Sequence, residues 1–202
     1  MSHYVKFTYE RASADMAHFD ALAELNLCRR KLLGLRLIGL DSNGVGFGNV
    51  SIRDGASKNF SITGSATGGL PQLTATDCVR VVAYDFAMNW LRYEGAAIPS
   101  SESLTHAAIY ESDPSSSAVI HCHDFSLWTT LLDRVPTTSR AVPYGTPEMA
   151  YEIIRLFKES DVRSKKIFVM AGHEAGVVTF GKNLGDAFDV VMRERSASSP
   201  CI

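Results

Sequence analysis

His121 and His123 are separated by one residue, and at that spacing two side chains of a β-strand point to the same face of a sheet. Two imidazoles in this position can bind one metal ion, while Cys122 between them points to the opposite face. The alternative is a pair of unrelated polar residues at the end of a strand. A third ligand is therefore needed to favour the metal site.

His173 is the first candidate for the third ligand, because it lies in the glycine-flanked turn Ala171–Gly176 between two short apolar runs. His106 is a second candidate, since Glu102 and His106 are four residues apart on a predicted helix and share a face. A helical histidine next to Tyr110 is more typical of a packed or orienting residue, so we rank His106 below His173. Three histidines and an open position are typical of catalytic zinc sites, whereas structural zinc sites are usually closed by four protein ligands.

Chemistry at such a site also requires an acid or a base nearby. Glu102 follows Pro99-Ser100-Ser101 at the start of a predicted helix. Its carboxylate could bind the metal or exchange a proton with a substrate held there. The alternative is a glutamate that is favoured only by the helix dipole.

Three segments of small residues could bind a phosphate group through backbone amides and hydroxyl groups. They are Gly48-Asn49, residues 63–69 and Ser100-Ser101. Ordinary tight turns would explain any one of them. The glycine run at residues 44–49 is not a dinucleotide-binding fingerprint, because it leads into a strand and lacks the GxGxxG spacing.

The composition limits the classes of partner. The 202 residues include 20 Lys and Arg against 22 Asp and Glu, which leaves no basic surplus for nucleic acid. No apolar run reaches the roughly 18 residues of a membrane helix, and the N-terminus lacks the features of a secretory signal. Cys28, Cys78, Cys122 and Cys201 form no CxxC pair, which argues against a disulfide scaffold and a cysteine zinc site. We expect a soluble, cytoplasmic protein that binds a small molecule.

The elements that must position these residues alternate between strands and helices. Hydrophobic periodicity and capping residues predict helices over residues 13–33, 101–111, 125–132, 146–157 and 184–195. Alternating patterns predict strands over residues 50–53, 59–63, 79–93, 118–122, 166–171 and 176–180. The pattern predicts an α/β fold in which helices cover a sheet. We expect one domain over residues 1–202, with residues 1–12 as a flexible or strand-like arm.

Taken in order, these motifs resemble the class II aldolase/adducin family. The motifs are Gly48-Asn49-Val50-Ser51-Ile52-Arg53, Ile62-Thr63 followed by Thr67-Gly68, Pro99-Ser100-Ser101-Glu102, His121-Cys122-His123 and finally His173. The resemblance covers about residues 28–189. It implies a single three-layer α/β/α domain with a mainly antiparallel central sheet, commonly assembled as a homotetramer with sites at subunit interfaces.

The resemblance also implies a role for each site residue. His121, His123 and His173 would bind zinc or another divalent metal, and Glu102 would act as the acid/base and could complete the metal shell. The phosphate group of a substrate would bind to Asn49, Thr67, Gly68, Ser100 and Ser101.

The expected activity is that of a lyase that cleaves or forms a carbon–carbon bond of a small hydroxy-carbonyl compound, such as a sugar phosphate, through a metal-stabilised enediolate. Dehydration or epimerisation on the same metal site is an alternative. A non-catalytic binding or scaffold protein similar to the adducin head is another, although adducin heads lack the full set of metal ligands. The retained histidines and Glu102 favour the enzyme.

Overall fold

The computed structural model describes residues 5–16 and 19–198, and its elements alternate between strands and helices. In chain order they are β1 (Thr8–Ser13), α1 (Leu22–Gly34), β2 (Gly39–Leu40), β3 (Gly46–Phe47), β4 (Asn49–Arg53), β5 (Phe60–Thr63), a 3-10 turn (Ala75–Asp77), β6 (Cys78–Asp85), β7 (Trp90–Glu94), α2 (Ser103–Ser112), β8 (Ala118–His123), α3 (Phe125–Leu131), α4 (Pro147–Glu159), α5 (Val162–Lys165), β9 (Ile167–Val169), β10 (Gly176–Gly181) and α6 (Leu184–Ser198).

The main sheet contains eight strands in the spatial order β1-β7-β6-β5-β4-β8-β10-β9. Every neighbouring pair is antiparallel except β1 and β7, which are parallel. The short strands β2 and β3 pair with each other in a separate hairpin. The predicted mainly antiparallel sheet is therefore confirmed.

Helices cover both faces of this sheet, and each face has its own hydrophobic core. The first core lies under α2 and α4 and includes Leu104 and Ile153. The second core lies under α1, α3 and α6 and includes Leu32, Leu127 and Val191. The chain thus has the three-layer α/β/α architecture that the family resemblance implies.

The alternation of side chains along β8 decides where the paired histidines point. Val119 packs in the first core, whereas Ile120 and Cys122 pack in the second core. His121 and His123 therefore share the face of Val119, and Cys122 lies in the opposite layer, as predicted. Helix α2, which begins directly after Glu102, covers the same face as the histidines.

The helix predicted to begin at Ser13 begins instead at Leu22, so this prediction is wrong. Residues Thr8–Ser13 form β1, which pairs with β7, and the carbonyl oxygen of Ser13 accepts a hydrogen bond from the amide of Gly95. Ser13 belongs to β1 and so cannot cap the helix, which forms only from Leu22 onward.

The region predicted as one strand over residues 79–93 is two strands, β6 and β7, which pair through a tight turn. In that turn Asn89 adopts a left-handed conformation with φ of 45°, and the amide of Met88 donates to Asp85. The short helix α5 was not predicted. The other predicted elements are found close to the expected positions, including Asp124, which caps α3, and Asn183 ahead of α6.

Cys28, Cys78 and Cys122 are free and buried, and burial raises the pKa of each thiol to about 12, so these thiols are packing residues. Cys201 lies outside the described residues. Among the helices that are described, none has both the length and the apolar composition that a membrane span requires.

Candidate metal centre

Three histidines meet in a cavity of about 210 Å³ at the end of β8. Strand β8 pairs with β4 and β10 so that His121 lies opposite Asn49 and Val178. His173 reaches the same point from the turn that joins β9 to β10. The ring centroids are 5.0 Å apart for His121 and His123, 5.0 Å for His121 and His173, and 4.7 Å for His123 and His173. Their ligand atoms all lie within 4.8 Å of one another.

Glycines allow the turn of His173 to pack closely against the loop at Val142 and against the ring of His121. A Cβ atom on Gly172 would lie 2.1 Å from the carbonyl oxygen of Val142, and a Cβ atom on Gly176 would lie 2.9 Å from the carbonyl oxygen of His173. The amide of Gly176 donates to that carbonyl oxygen at 2.9 Å, which closes the turn. The turn therefore holds the imidazole over the end of β8.

The three histidines are neutral at physiological pH. Burial lowers the pKa of His123 to about 4, and burial together with the nearby His123 and Lys6 lowers the pKa of His173 to about 3. The pKa of His121 is shifted well below its usual range, first by burial and then by the neighbouring histidines. Neutral imidazole is the form that binds metals.

One ring nitrogen of each histidine is buried and has no hydrogen-bond partner among the described residues: Nε2 of His121, Nε2 of His123 and Nδ1 of His173. An unsatisfied buried polar atom is costly, and three such atoms around one point are explained by a shared ligand. Three neutral imidazoles are a donor set that suits zinc and similar divalent ions. These residues could therefore hold a divalent metal.

Glu102 brings a carboxyl group to the same cavity. Its side chain is 1% exposed, and burial raises its pKa to about 7, although a hydrogen bond from Thr105 and the charge of Lys6 act in the opposite direction. Thr105 Oγ1 donates to Oε2 of Glu102 at 2.7 Å. Oε1 has no hydrogen-bond partner and lies 3.7 Å from Nδ1 of His173. A carboxyl group with a pKa near neutrality can both accept and donate a proton.

Four of the five residues that the resemblance assigns to phosphate binding line this cavity: Asn49, Gly68, Ser100 and Ser101. The fifth, Thr67, is not among the lining residues, and its hydroxyl donates to the carbonyl oxygen of Gly64 at 2.8 Å. Nδ2 of Asn49 lies 3.2 Å from Nδ1 of His121, so this amide also contacts a candidate ligand.

His106 does not join the three histidines. Its ring is fully buried, and its Nδ1 lies 2.7 Å from the hydroxyl of Ser51, which also contacts the hydroxyl of Tyr110 at 2.7 Å. Burial lowers the pKa of His106 to about 3. The geometry agrees with a packed residue that supports α2 against β4.

Two aromatic residues that the sequence analysis missed hold the histidine rings from outside. Tyr144 stacks on His173 with a centroid distance of 4.4 Å, and Phe47 stacks on His123 at 5.2 Å. Lys6 lies on the far side of Tyr144, with Nζ 3.7 Å from the ring centroid. The position of Phe47 between two glycines and of Tyr144 before Gly145 was the available signal, because such residues often border a binding site.

Comparisons with known proteins agree with this geometry. Residues 33–197 match the family model described as the class II aldolase and adducin N-terminal domain. A curated protein of Haemophilus influenzae named 3-oxo-tetronate 4-phosphate decarboxylase is 28% identical, and the match covers 71% of each chain.

Two solved structures have the same fold. An L-fuculose 1-phosphate aldolase matches with a TM-score of 0.68 and 24% identity, over 91% of this chain and 84% of that chain. A sugar-phosphate aldolase from Thermotoga maritima matches with a TM-score of 0.65 and 17% identity, over 89% of this chain and 92% of that chain.

Proposed function

The chain belongs to the class II aldolase and adducin family, and from this premise we propose that it is a divalent-metal-dependent lyase. Its reaction would cleave or form a carbon–carbon bond next to the carbonyl group of a small hydroxy-carbonyl compound. One observation carries the proposal: three neutral histidines and a carboxyl group with a pKa of about 7 line the same cavity.

His121, His123 and His173 would hold the metal, and zinc is the ion that we propose, because neutral imidazoles suit it and an open position would be left for a substrate. A bound metal would supply Lewis-acid chemistry by drawing electron density from the carbonyl and hydroxyl oxygens of the substrate. Stacking of Tyr144 and Phe47 against two of the rings would keep the ligands in place.

Glu102 would move the proton. For aldol cleavage, Oε1 removes the proton of the substrate hydroxyl, the carbon–oxygen bond becomes a carbonyl, and the carbon–carbon bond breaks. The electron pair of that bond stays on the carbon next to the carbonyl group that the substrate already had. Glu102 then returns the proton to this carbon. A pKa of about 7 suits a group that must act in both directions near neutral pH.

The substrate that we propose carries an anionic group, with phosphate as the first choice. Asn49, Gly68, Ser100 and Ser101 line the cavity and supply amide and hydroxyl donors. These groups can bind a phosphate without a surplus of Lys or Arg, which agrees with the net charge of −2. Thr67 would contribute through the position of its loop, since its hydroxyl is bonded to Gly64.

Decarboxylation is a second candidate reaction, and the similarity to the decarboxylase of Haemophilus influenzae favours it. The same carbon would receive the electron pair, but carbon dioxide would leave in place of an aldehyde. No base is then needed for the first step, and Glu102 would act only as the acid that protonates the carbon.

Product analysis on metal-loaded protein tests the proposal and separates the candidates. Sugar phosphates would be assayed for release of an aldehyde, phosphorylated 3-oxo acids for release of carbon dioxide, and both for loss of water or epimerisation. Release of aldehyde or carbon dioxide that depends on metal and on Glu102 supports a lyase that acts on a carbon–carbon bond. Water loss or epimerisation alone, or no reaction with any of these compounds, contradicts it.

Two further features belong to this proposal. We propose that the protein assembles as a homotetramer and acts on carbohydrate-derived compounds, as the family resemblance implies, and that it acts in the cytoplasm, as the composition and the N-terminal sequence suggest. Light scattering coupled to size-exclusion chromatography would measure the mass of the assembly, and a monomer would contradict the first of these features.

A further inference from the structure

Arg29 is a buried arginine that none of the catalytic steps above uses. It lies on α1, its side chain is almost inaccessible at 1% exposure, and its guanidinium group bonds to backbone only. Nη2 donates to the carbonyl oxygens of Thr67 at 2.7 Å and Gly68 at 3.3 Å, and Nη1 donates to the carbonyl oxygen of Leu70 at 3.0 Å. One side chain thus holds three carbonyls of the loop that forms a wall of the cavity.

The charge of Arg29 has no contacting counter-ion. No carboxylate within residues 5–16 and 19–198 lies within ion-pair distance of its guanidinium. Burial lowers its pKa, the charge of nearby Asp77 acts in the opposite direction, and the arginine stays protonated at neutral pH. Carbonyl oxygens solvate the guanidinium without neutralising it, and Asp77 offsets its charge only from beyond ion-pair distance, so part of its positive field extends into the surrounding protein. The described residues that line the cavity include no lysine or arginine.

Peptide geometry determines where the amides of this loop point. In a trans peptide the N–H group points away from the carbonyl oxygen of the same unit, and no described peptide is cis. Because the carbonyls of Thr67 and Gly68 face Arg29, the amides of Gly68 and Gly69 face away from it. Among the described residues, neither amide has an acceptor, and of these two residues Gly68 lines the cavity. The amide of Gly68 is therefore the one that can donate to an anion bound in the cavity.

We propose that Arg29 is a positioning residue for the anionic group of the substrate. Its guanidinium fixes the peptide units that follow Thr67 and Gly68 so that the amide of Gly68 is free to bind a phosphate, and its charge favours an anion on that side of the cavity. This inference rests on the proposed function in one respect only, namely that the substrate is phosphorylated.

The test measures binding of inorganic phosphate to metal-free protein by calorimetry, so that a metal cannot bind the phosphate directly. In Arg29→Met the dissociation constant is expected to rise about 10-fold or more, since charge-assisted hydrogen bonds orient the loop. Arg29→Lys keeps the charge but cannot span three carbonyls, so it is expected to restore binding only in part. The matched control is Arg30→Met, an exposed arginine on the same helix, and it should bind as the wild type does.

A merely structural role would weaken the binding of metal and phosphate together, so zinc affinity is measured on the same variants. The inference expects zinc affinity in Arg29→Met and Arg29→Lys to stay within about twofold of the wild type. It is overturned if the wild type shows no phosphate binding, if Arg29→Lys binds phosphate as tightly as the wild type, or if zinc and phosphate affinity fall in parallel. If Arg29→Met does not fold, the comparison of Arg29→Lys with the wild type decides.

The outcomes also separate this inference from the proposed function. Phosphate binding that depends on Arg29, in a protein without lyase activity, supports the inference and contradicts the proposed function. If the protein is a lyase but its KM for a phosphorylated substrate is unchanged in Arg29→Lys, the proposed function is supported and the inference about Arg29 is contradicted. A raised KM at unchanged kcat supports both.

Discussion

Oε1 of Glu102 lies 3.7 Å from Nδ1 of His173, and both atoms are buried without a hydrogen-bond partner in the described part of the chain. Because burial keeps His173 neutral, this contact is not an ion pair. Two polar groups placed by separate elements, the start of α2 and the turn before β10, thus face a common point. A ligand shared by the two groups would satisfy both atoms, and this relationship connects the candidate acid/base to the candidate metal ligands.

The first prediction concerns the metal ligands. His121→Ala is expected to lose the bound metal, because it removes one of three converging nitrogens from a site that has no cysteine ligand. Metal content is measured by mass spectrometry after reconstitution with zinc. His106→Gln is the control, since His106 is equally buried but bonds only to Ser51 through Nδ1. Stoichiometric metal in His121→Ala would exclude His121 as a ligand.

The second prediction separates metal binding from proton transfer. Glu102→Gln is expected to retain the metal and to lose turnover by about 10²-fold or more, which is the typical contribution of a positioned acid/base. The side-chain amide can still accept the hydrogen bond from Thr105 but cannot carry the proton. Glu111→Gln, on the exposed side of the same helix, is the control and should keep full activity. Unchanged turnover in Glu102→Gln would remove Glu102 from the mechanism.

The paired histidines could be read from the sequence because their geometry is local. Alternation along one strand places His121 and His123 on one face whatever the rest of the chain does, and the structure confirms Cys122 in the opposite layer. The helix that begins just after Glu102 was also predicted from local sequence, namely from the run of helix-forming residues over 101–111. The approach of His173 to that pair depended on the order of strands in the sheet, and the family resemblance supplied this information.

The role of Arg29 could not be predicted, because its partners are distant in sequence. Arg29 bonds to residues 38 and 39 positions further along the chain, and nothing in the pattern of α1 distinguishes it from the exposed Arg30. The wrong helix start at Ser13 has a related origin, since Ser13 is the last residue of β1 and pairs with Glu94 of β7. Contacts between distant parts of the chain can override local patterns.

The third prediction concerns the orientation of His121. The amide group of Asn49 lies against His121, with Nδ2 3.2 Å from Nδ1; turned by 180°, its oxygen would accept the proton of Nδ1 and leave Nε2 free to bind a metal, and such a partner raises the affinity of an imidazole for the ion. Asn49→Ala is therefore expected to weaken zinc binding about 10-fold to 100-fold, measured by competition with a chelator. Asn43→Ala, in the exposed part of the preceding loop, is the control. Equal zinc affinity in Asn49→Ala and the wild type would contradict this role.

The fourth prediction concerns stability in acid and rests on Asp113, which follows α2 and whose side chain is 3% exposed. Burial alone would raise its pKa, but hydrogen bonds from Lys166, Ser115 and Ser116 outweigh burial and lower the pKa from 3.8 to about 2. The unfolded state therefore binds the proton more tightly than the folded state. The stabilisation is fully present above about pH 4 and is lost as the pH falls towards 2.

Asp113→Asn is accordingly expected to lower the free energy of unfolding by about 2 kcal/mol near neutral pH, and the difference from the wild type should shrink between about pH 4 and pH 2. Urea unfolding over this pH range measures it. Asp133→Asn is the control, because the ion pair of Asp133 with Arg140 is exposed at 69% and 61% and should contribute little. A difference between Asp113→Asn and the wild type that stays constant down to pH 2 would show that the loss comes from packing and not from the ionised carboxylate.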